Sequence, residues 1–313
     1  MIAVVGEALI DLVVSADGRI DARPGGGPYN AARTLARLGA PTAFLGRLSS
    51  DGFGRLLRGR LDAEDVRIGV PAPSAEPSTA AVADVDQAGV ASYAFYLAGT
   101  AGADLTYEDL RAALPDGVTA VHAGTLGLVM EPIGSAIERL ILGDLPPDAL
   151  VLLDPNCRPG AIADRAAYLR RIENIATRAD IVKASVEDLA YLRPGEPAEE
   201  AAEALLAAGP SLVLVTDGPR PARAFLPSAV VRADVPSVTV VDTIGAGDAF
   251  GGGFLAWWTA HGLGRDDLKR SAQISAALSA AAAIAALTCA RPGADPPTLA
   301  DVRAGSWWPE PVT

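Results

Sequence analysis

Short apolar runs and longer helical patterns alternate along most of the chain. The opening run IAVVGEALIDLVV starts as a buried strand and is broken by a Gly-Glu pair. Residues 28–39 place Ala31, Leu35 and Leu38 on one face, with a proline at the start and Gly39 at the end, which predicts a helix. The same patterns predict strands at 42–45, 119–123, 149–153, 180–183 and 212–216, and helices at 54–61, 132–142, 165–178, 186–192 and 198–208.

This alternation is typical of an α/β protein. Because parallel strands need crossover connections, which are usually helices, it predicts a mainly parallel sheet with helices on both of its faces. The sequence contains no internal repeat and no linker long enough to separate two domains. We therefore expect a single domain over residues 1–313, with a loosely held tail at 307–313.

One region departs from the alternation. Residues 79–86 and 90–97 are two strand-like runs joined by the turn Gln87-Ala88-Gly89, which predicts a hairpin. Both faces carry apolar side chains, with Tyr96 on one face and Phe95 on the other. Such a hairpin is either sandwiched in the core or covers a ligand with one face and meets a partner with the other.

Composition and charge exclude several classes of protein. The chain has 313 residues, half of them apolar and a fifth charged, which is a globular composition and not that of a disordered or collagen-like chain. Its formal charge of −12 argues against nucleic acid or an anionic membrane as partner, since both require a local excess of Lys and Arg. Only Lys183 and Lys269 are lysines, so a bound anion would depend on a few arginines, helix N-termini and backbone amides.

The cysteines and the apolar stretches indicate a cytoplasmic protein. Cys157 and Cys289 lie far apart and form no metal or disulfide framework, so we expect reduced thiols. The apolar N-terminus lacks the basic flank of a signal peptide. The longest apolar stretch, 274–287, is rich in alanine and too short to span a bilayer, which predicts a buried helix.

The strongest candidate site is the stretch DTIGAGDAF at 242–250. It follows a predicted strand at 238–241 and opens a helix that reaches about Trp258. Gly245 and Gly247 allow the backbone amides of this turn to converge, and the helix dipole adds positive potential there. An oxyanion or a phosphate is the ligand that such a turn favours.

Asp248 falls in the first turn of the same helix. Beside an anion hole, its carboxylate can act as a general base toward a hydroxyl group. The alternative is an ordinary tight turn in which Asp248 only caps the helix. A dinucleotide-binding turn is a poor match, because Phe250 stands where its third glycine would be.

A second glycine run, Gly25-Gly26-Gly27, also opens a helix. It lets a ligand approach the backbone closely, and Asn30 in the first helical turn offers both a donor and an acceptor. Asp11, after the first strand, is a carboxylate that needs partners, either the hydroxyls of a sugar or a structural arginine.

Polar residues follow two further predicted strands. Asp154-Pro-Asn-Cys-Arg158 ends one of them, and Lys183-Ala-Ser-Val-Glu187 ends the other. Open α/β sheets bind ligands at the carboxyl ends of their strands. Glu187 is a candidate for holding Mg²⁺ through water near a polyphosphate, or is only a carboxylate at a helix start capped by Ser185.

Other common catalytic motifs are missing from the sequence. It has no P-loop, no H-E-x-x-H or Cys/His zinc pattern and no G-x-S-x-G elbow. His122 and His261 are isolated and are interpreted as structural residues.

Taken together, the glycine-run helix and the DTIGAGDAF turn resemble the two signatures of the PfkB (ribokinase-like) carbohydrate kinase family. The resemblance covers essentially the whole chain and includes Asp51-Gly-Phe-Gly54 and the 154–156 and 183–187 segments. It implies a Rossmann-like α/β domain with a small β-sheet lid, expected near 12–23 and 72–100. It also implies ATP as phosphoryl donor, and Mg²⁺.

Site roles follow from the resemblance for three groups of residues. Asp248 is similar to the catalytic base, and the anion hole corresponds to Gly245, Ala246 and Gly247. The implied sugar-binding residues are Asp11, Gly26, Gly27, Asn30, Tyr96 and Arg158. The implied nucleotide-binding residues are Lys183, Thr216, Gly218, Gly245 and Gly247.

The resemblance also implies two metal ions. Glu187 corresponds to the family glutamate that orders Mg²⁺ through water, although Ser185 replaces the asparagine of that motif. K⁺ is expected beside the anion hole, bound by the loop containing Asp242 and Ile244 and by the segment near 285–293. Pro221 stands where a glycine that contacts the nucleotide is expected, which removes one backbone amide.

The residues of the predicted lid favour a neutral sugar. The segment 95–101, FYLAGTA, is similar to that of fructokinase-like members, and Leu97 and Ala98 supply no charge for an acid sugar. We expect fructose first and ribose second, with a nucleoside or 2-keto-3-deoxygluconate as alternatives, and a homodimer through the lid. Two other classes stay open here, a non-catalytic sugar or nucleotide sensor and a dinucleotide oxidoreductase.

Overall fold

The computed structural model describes residues 1–85 and 91–311 and contains two sheets. Its strands are β1 (Ile2–Val5), β2 (Leu9–Val14), β3 (Ile20–Gly25), β4 (Thr42–Leu45), β5 (Arg67–Ile68), β6 (Thr79–Val85), β7 (Ala91–Tyr96), β8 (Ala120–Gly124), β9 (Leu150–Asp154), β10 (Ile181–Ser185), β11 (Leu212–Asp217), β12 (Arg220–Leu226) and β13 (Ala229–Ala233). Its helices are α1 (Gly27–Arg37), α2 (Gly52–Ala63), α3 (Tyr107–Ala113), α4 (Ile133–Gly143), α5 (Arg165–Ala176), α6 (Val186–Leu192), α7 (Ala198–Ala207), α8 (Ala246–Ala260), α9 (Ser271–Cys289) and α10 (Leu299–Ala304).

The large sheet confirms the predicted α/β architecture. Its nine strands run in the order β13-β12-β11-β10-β9-β8-β1-β4-β5. All neighbours are parallel except β11 with β12 and β12 with β13. Because the parallel strands all point the same way, their carboxyl ends share one edge, and the predicted polar segments at 154–158 and 183–187 lie there.

Helices cover both faces of this sheet. On one face α1, α2, α8, α9 and α10 pack around a core that includes Phe44, Phe254 and Trp258. On the other face α3 to α7 pack around a second core that includes Ile137 and Leu189. The central strands between them are buried on both sides, which explains the nearly continuous apolar runs in the sequence.

Helix α9 contains the long apolar stretch that predicted a buried helix. It is long and apolar enough to cross a membrane, yet 61% of its most apolar window is buried inside the fold. The helix packs on α8, β12 and β13. Gly253 of α8 allows the two helices to approach closely, since a Cβ added there would lie 2.8 Å from the Ile284 side chain of α9. Here α9 is a core helix of the domain.

The smaller sheet has the order β3-β2-β6-β7 and is the lid of this fold. The strands β2 and β6 are parallel, while β3 and β7 are antiparallel to their neighbours. The predicted pairing of 79–86 with 90–97 is observed as β6 with β7, and its turn at Gln87–Gly89 lies outside the described residues.

In the C-terminal third, one predicted strand is wrong and one observed pair of strands was not predicted. Residues 238–241 form no strand; Val240 and Val241 are 61% and 58% exposed, and the amides of Val241 and Asp242 both donate to the Cys289 carbonyl. The edge of the sheet is formed instead by the β12–β13 pair, which was not predicted because its charged, half-exposed residues obscure the alternation.

The described part of the tail is not loosely held. Trp308 is buried, and the Trp257 indole donates a 2.8 Å hydrogen bond to the Pro309 carbonyl. The His261 ring lies between the Trp257 and Trp308 rings. The aromatic end of α8 therefore binds the chain terminus, a long-range contact that local patterns do not reveal.

Candidate active site

Two cavities open at the carboxyl edge of the large sheet. The first, the lid cavity, has a volume of about 720 Å³ and lies between that edge and the smaller sheet. The second, the α9 cavity, has a volume of about 580 Å³ and lies between the ends of β10–β12, α8 and α9. Asn156, Thr243 and Gly247 line both, so the two cavities meet at the start of α8.

The meeting point is built from the glycine turn that opens α8. Gly245 has a φ of +78°, and an added Cβ would lie 2.6 Å from the Ala294 Cβ, so only glycine fits this position. The amides of Gly247 and Asp248 belong to the first helical turn, where helix N–H groups have no acceptor within the helix. The turn therefore presents amides and the positive end of a helix dipole where the cavities join.

Asp248 is buried at this junction. Its Oδ2 accepts a 2.9 Å hydrogen bond from Asn30 Nδ2, and its Oδ1 accepts a 3.4 Å bond from Asn156 Nδ2. Burial raises the pKa of Asp248, while Asn30, Lys183 and Arg158 oppose that rise. The carboxylate faces the lid cavity without a direct cationic partner in the described part of the chain, which leaves it available to accept a proton.

The glycine run and Asp11 form another part of the lid cavity wall. Gly26, Gly27, Asn30 and Asp11 all line it, as the sequence predicted. Asp11 lies on β2, and burial followed by repulsion from Asp248 raises its pKa to about 6. These residues bring backbone amides, an amide side chain and a carboxylate to one small volume, a set suited to the hydroxyl groups of a polyol.

The lid supplies the apolar wall of the cavity. Tyr93 and Phe95 on β7 stack with ring centroids 6.4 Å apart and line it together with Ala81 and Ala83 of β6. Tyr96 does not line it, because successive side chains of a strand point to opposite faces. The prediction of Tyr96 as a sugar contact is wrong; it is 61% exposed on the outer face of the lid.

Arg158 closes the far end of the lid cavity with Pro159 and Gly160. Its guanidinium turns back on its own loop and donates to the Asn156 carbonyl and side chain and to the Cys157 carbonyl. The described residues give it no carboxylate partner, so a positive charge is present at this end.

Glu7 was not predicted as a site residue, and Asn156 was predicted only as part of the polar segment 154–158. Glu7 is 1% exposed and Asn156 is half-buried, and both line the lid cavity. Each follows a strand of the parallel sheet, β1 and β9 respectively, and that position was the signal available in the sequence.

The α9 cavity contains most of the predicted nucleotide-binding residues. Lys183, Thr216, Gly218, Ala246 and Gly247 line it. Lys183 is buried, its ammonium donates a 2.9 Å hydrogen bond to Asp154 Oδ2, and a Cβ added at Gly247 would lie 3.1 Å from the Lys183 Nζ. One lysine charge is therefore fixed next to the glycine turn.

An apolar part of the cavity wall comes from residues far apart in the chain. On the α9 side it includes Ala282, Ala285 and Ala286, and on the other side Val235, Val238 and Val240. Pro219 lines the cavity and Pro221 does not, so the substitution noted at Pro221 lies outside its wall.

The predicted magnesium residue lies at the start of α6. Ser185 caps this helix and exchanges hydrogen bonds with Asp188, whose carboxylate also accepts from the Cys157 amide. Both carboxylate oxygens of Asp188 thus accept hydrogen bonds from the chain. Glu187 in the same turn is exposed and lines neither cavity. Among the described residues no cluster of three metal-binding side chains exists. The described side chains therefore do not form a complete Mg²⁺ site. They fit Mg²⁺ as kinases bind it, with phosphate oxygens and water completing the coordination shell of the ion.

Asp242 joins three segments beside the glycine turn. Its carboxylate accepts from the Ile244 amide at 3.0 Å, the Gly293 amide at 2.9 Å and Arg23 Nη1 at 3.0 Å. The two loops expected to bind K⁺ therefore lie against each other. Their donor set of carbonyl and carboxylate oxygens fits a hard monovalent cation.

Comparison with known proteins agrees with this geometry. The sequence model of the pfkB family carbohydrate kinases matches residues 1–301. A fructokinase from Rhizobium leguminosarum bv. trifolii is 38% identical over 260 residues, which cover 82% of this chain and 79% of that protein.

Solved structures agree as well. The fructokinase of Xylella fastidiosa with bound ATP superposes with a TM-score of 0.88 at 27% identity, covering 97% of this chain and 98% of the other. The Vibrio cholerae O395 fructokinase with fructose, ADP and calcium ion superposes with a TM-score of 0.79 at 27% identity, covering 94% of each chain. A double mutant of that enzyme contains fructose, ADP and potassium ion. These findings confirm the prediction of a carbohydrate kinase over the alternatives of a non-catalytic sensor and an oxidoreductase.

Proposed function

This chain belongs to the pfkB family of carbohydrate kinases and is an ATP-dependent sugar kinase, and we propose that fructose is its acceptor and Asp248 its general base. One observation carries the proposal. The lid cavity, lined by groups suited to hydroxyls, meets the α9 cavity at Gly247, next to the buried Asp248 carboxylate. An acceptor hydroxyl and a terminal phosphate placed in the two cavities would meet at this residue.

Three carboxylates line the lid cavity, and their contacts decide which one takes the proton. Glu7 already accepts three hydrogen bonds, two at Oε1 and one at Oε2, which fix its carboxylate against the chain. Asp11 lies on the lid, away from the glycine turn. Asp248 alone is in the first turn of α8, beside the amides that would hold the phosphoryl group. In-line transfer needs a base within reach of the hydroxyl that attacks the phosphoryl group.

The remaining groups position the reactants and stabilise charge. The amides of Gly245, Ala246 and Gly247 would hold the transferring phosphoryl oxygens, with Lys183 close by. Thr216 and Gly218 would contact the nucleotide. The lid excludes water from the acceptor side and thereby limits hydrolysis of ATP.

Mg²⁺ and K⁺ belong to the proposal at the positions given above. Glu187 would hold Mg²⁺ through water, and the ion would neutralise charge on the phosphates. Asp242 and the carbonyl groups around Ile244 and 289–293 would hold K⁺, which would add positive potential behind the anion hole.

Fructose is favoured by the chemistry of the lid cavity. Asp11 and Asn30 offer hydrogen bonds to neutral hydroxyls, and Tyr93 and Phe95 offer apolar faces to a sugar ring. An acid sugar would be repelled by Asp11 unless Arg158 neutralised it. A sugar without the hydroxyl that meets Asp11 would leave a buried carboxylate unpaired, at a cost of about 1–3 kcal/mol.

The test compares kcat/KM for fructose, ribose, adenosine and 2-keto-3-deoxygluconate on one preparation, with NMR of the product. We expect fructose to lead, and Asp11→Asn to lower kcat/KM for fructose by about tenfold or more. Asp17→Asn, an exposed carboxylate of the same lid, is the matched control and should leave the kinetics unchanged. Preference for the acid sugar, abolished by Arg158→Met, would contradict the neutral acceptor.

Assembly and location complete the proposal. The outer face of the lid exposes Tyr96 and Ile20, which supports a two-fold dimer through the lid. Both cysteines are free thiols in the structure, which supports a cytoplasmic location.

A further inference from the structure

Glu7 is a buried carboxylate to which the proposed reaction gives no chemical step. It follows β1 and is 1% exposed. Its oxygens accept hydrogen bonds from the Gly127 amide at 2.7 Å, the Gly27 amide at 3.3 Å and the Thr125 hydroxyl. None of these three donors is a cation, and burial raises the pKa of Glu7 to about 7. Burial of this carboxylate is unfavourable because the charged form loses its hydration. The carboxylate nevertheless joins its own segment to the start of α1 and to residues 125–127.

Thr125, one of these partners, has an unfavourable backbone conformation. Its φ is +57°, in the left-handed region that β-branched residues rarely adopt. The residue is buried, lines the lid cavity and directs its hydroxyl to Glu7. Strained residues of this kind persist where the surroundings fix them, and they concentrate at functional sites.

Gly27 lies between Thr125 and the proposed base. A Cβ added at Gly27 would lie 2.2 Å from Thr125 Cγ2 and 3.1 Å from Asp248 Oδ1. Gly27 is also the first residue of α1, the helix whose Asn30 donates to Asp248. The position of Thr125 thus sets how closely the start of α1 approaches the Asp248 carboxylate.

We propose that Glu7 and Thr125 form a positioning pair for phosphoryl transfer: the Thr125 hydroxyl and the Gly27 amide, both held by Glu7, fix the glycine run relative to Asp248. The glycine run lines the lid cavity in direct contact with the base, so the pair controls how this wall and Asp248 are placed relative to each other. Neither residue takes part in a bond that forms or breaks. This inference rests on the proposed function, because it takes Asp248 as the base.

Thr125→Gly separates a positioning role from a structural one. Glycine adopts φ of +57° without strain, so the folded backbone is relieved while the hydroxyl and the Cγ2 contact are lost. We expect an unchanged or higher Tm. We also expect kcat/KM for the sugar to fall by about tenfold or more, with the KM for ATP within about twofold of wild type.

The matched control is Asp65→Gly. Asp65 also has a φ of +57°, but it is exposed after α2 and lines neither cavity. This substitution gives the same backbone relief and should leave all kinetic constants unchanged. Thr125→Ser keeps the hydroxyl and should recover most of the activity. Glu7→Gln keeps the size of the side chain and should reproduce the selective loss on the sugar side.

The outcomes separate this inference from the proposed function. Wild-type kinetics in both Thr125→Gly and Glu7→Gln would overturn the positioning pair. An equal loss on the sugar and ATP sides together with a lower Tm would also overturn it, since that pattern is structural. Failure of the proposed function looks different: full activity of Asp248→Asn, or no transfer by the wild type to any sugar tested.

Discussion

Asn30 and Asp248, 218 residues apart in the chain, are joined by a 2.9 Å hydrogen bond from Asn30 Nδ2 to Asp248 Oδ2. Each residue lies near the start of a glycine-initiated helix, Asn30 in α1 and Asp248 in α8. The bond occupies one carboxylate oxygen and orients the other toward Asn156 and the lid cavity. The two sequence signatures of this family therefore meet at a single carboxylate.

The first prediction concerns Asp248 itself. Asp248→Asn removes the proton acceptor while keeping the size of the side chain and an acceptor for Asn30. We expect kcat to fall by about a hundredfold or more, with unchanged ATP affinity and a Tm no lower than that of wild type. Steady-state kinetics, nucleotide titration and thermal unfolding measure these quantities. The control is Asp266→Asn, at an exposed carboxylate in the short 3-10 helix Arg265–Lys269 before α9. Turnover near that of wild type in Asp248→Asn would refute Asp248 as the base.

The second prediction is a pH dependence of activity. The base works deprotonated, and burial raises the pKa of Asp248 above its ordinary value. Asp11, with a pKa raised to about 6, must also be charged to accept hydrogen bonds from the sugar through both oxygens. We expect kcat/KM to fall as the pH drops from about 8 to about 5.5. A flat wild-type profile over that range would contradict both assignments, and Asp11→Asn should make the decline shallower.

The free energy of unfolding should change with pH in the opposite direction to activity and decrease as the pH rises. Glu7 and Asp11 have folded-state pKa values raised to about 7 and about 6, above their ordinary values. The folded protein therefore binds more protons than the unfolded chain between about pH 4 and about pH 7, so their contribution to stability is lost as the pH rises through that window. Chemical unfolding at about pH 5 and about pH 8 measures the difference between the free energies of unfolding at the two pH values. Glu7→Gln should reduce it, and a variant with the same difference as wild type would count against the raised pKa.

The fourth prediction concerns the monovalent cation. Replacing tetramethylammonium by K⁺ at constant ionic strength should increase kcat and raise the Tm, because a cation among the oxygens of the 242–244 and 289–293 loops stiffens the glycine turn. The Tm provides a measurement that does not depend on catalysis. Na⁺ at the same concentration tests whether the site selects by size. Equal kcat and Tm in K⁺ and tetramethylammonium would remove the cation from the site.

The last prediction concerns the outer face of the lid. Tyr96 and Ile20 are 61% and 68% exposed on that face. Tyr96→Glu combined with Ile20→Glu should convert a dimer into a monomer in sedimentation experiments at micromolar concentration. Val230→Glu, at a 47% exposed residue on the distant edge strand β13, should leave the dimer intact. A wild type that sediments only as a monomer would show that this face has no partner copy.

Local sequence patterns were sufficient for the parts of the fold that depend on near neighbours. The strand at Thr42–Leu45 and the helix at Val186–Leu192 have the bounds that apolar spacing and capping predict. The α8 turn was predicted from its two glycines, Gly245 and Gly247, and in the structure Gly245 has a left-handed φ. Periodicity, caps and glycine turns depend on residues close together in the chain, so they can be recognised from a single sequence.

Tertiary structure alone decided which of these elements come together. Residues 238–241 have the composition of a strand but no neighbouring strand to pair with, and the apolar tail is held by α8. The face of β7 directed at the lid cavity carries Phe95 and not Tyr96, a choice fixed by the register of β7 on β6. Glu7 acquired its hydrogen-bond partners from the first residue of α1 and from residues 125 and 127, which follow β8. Such contacts depend on how segments that are not adjacent in the sequence pack together, about which local patterns carry no information.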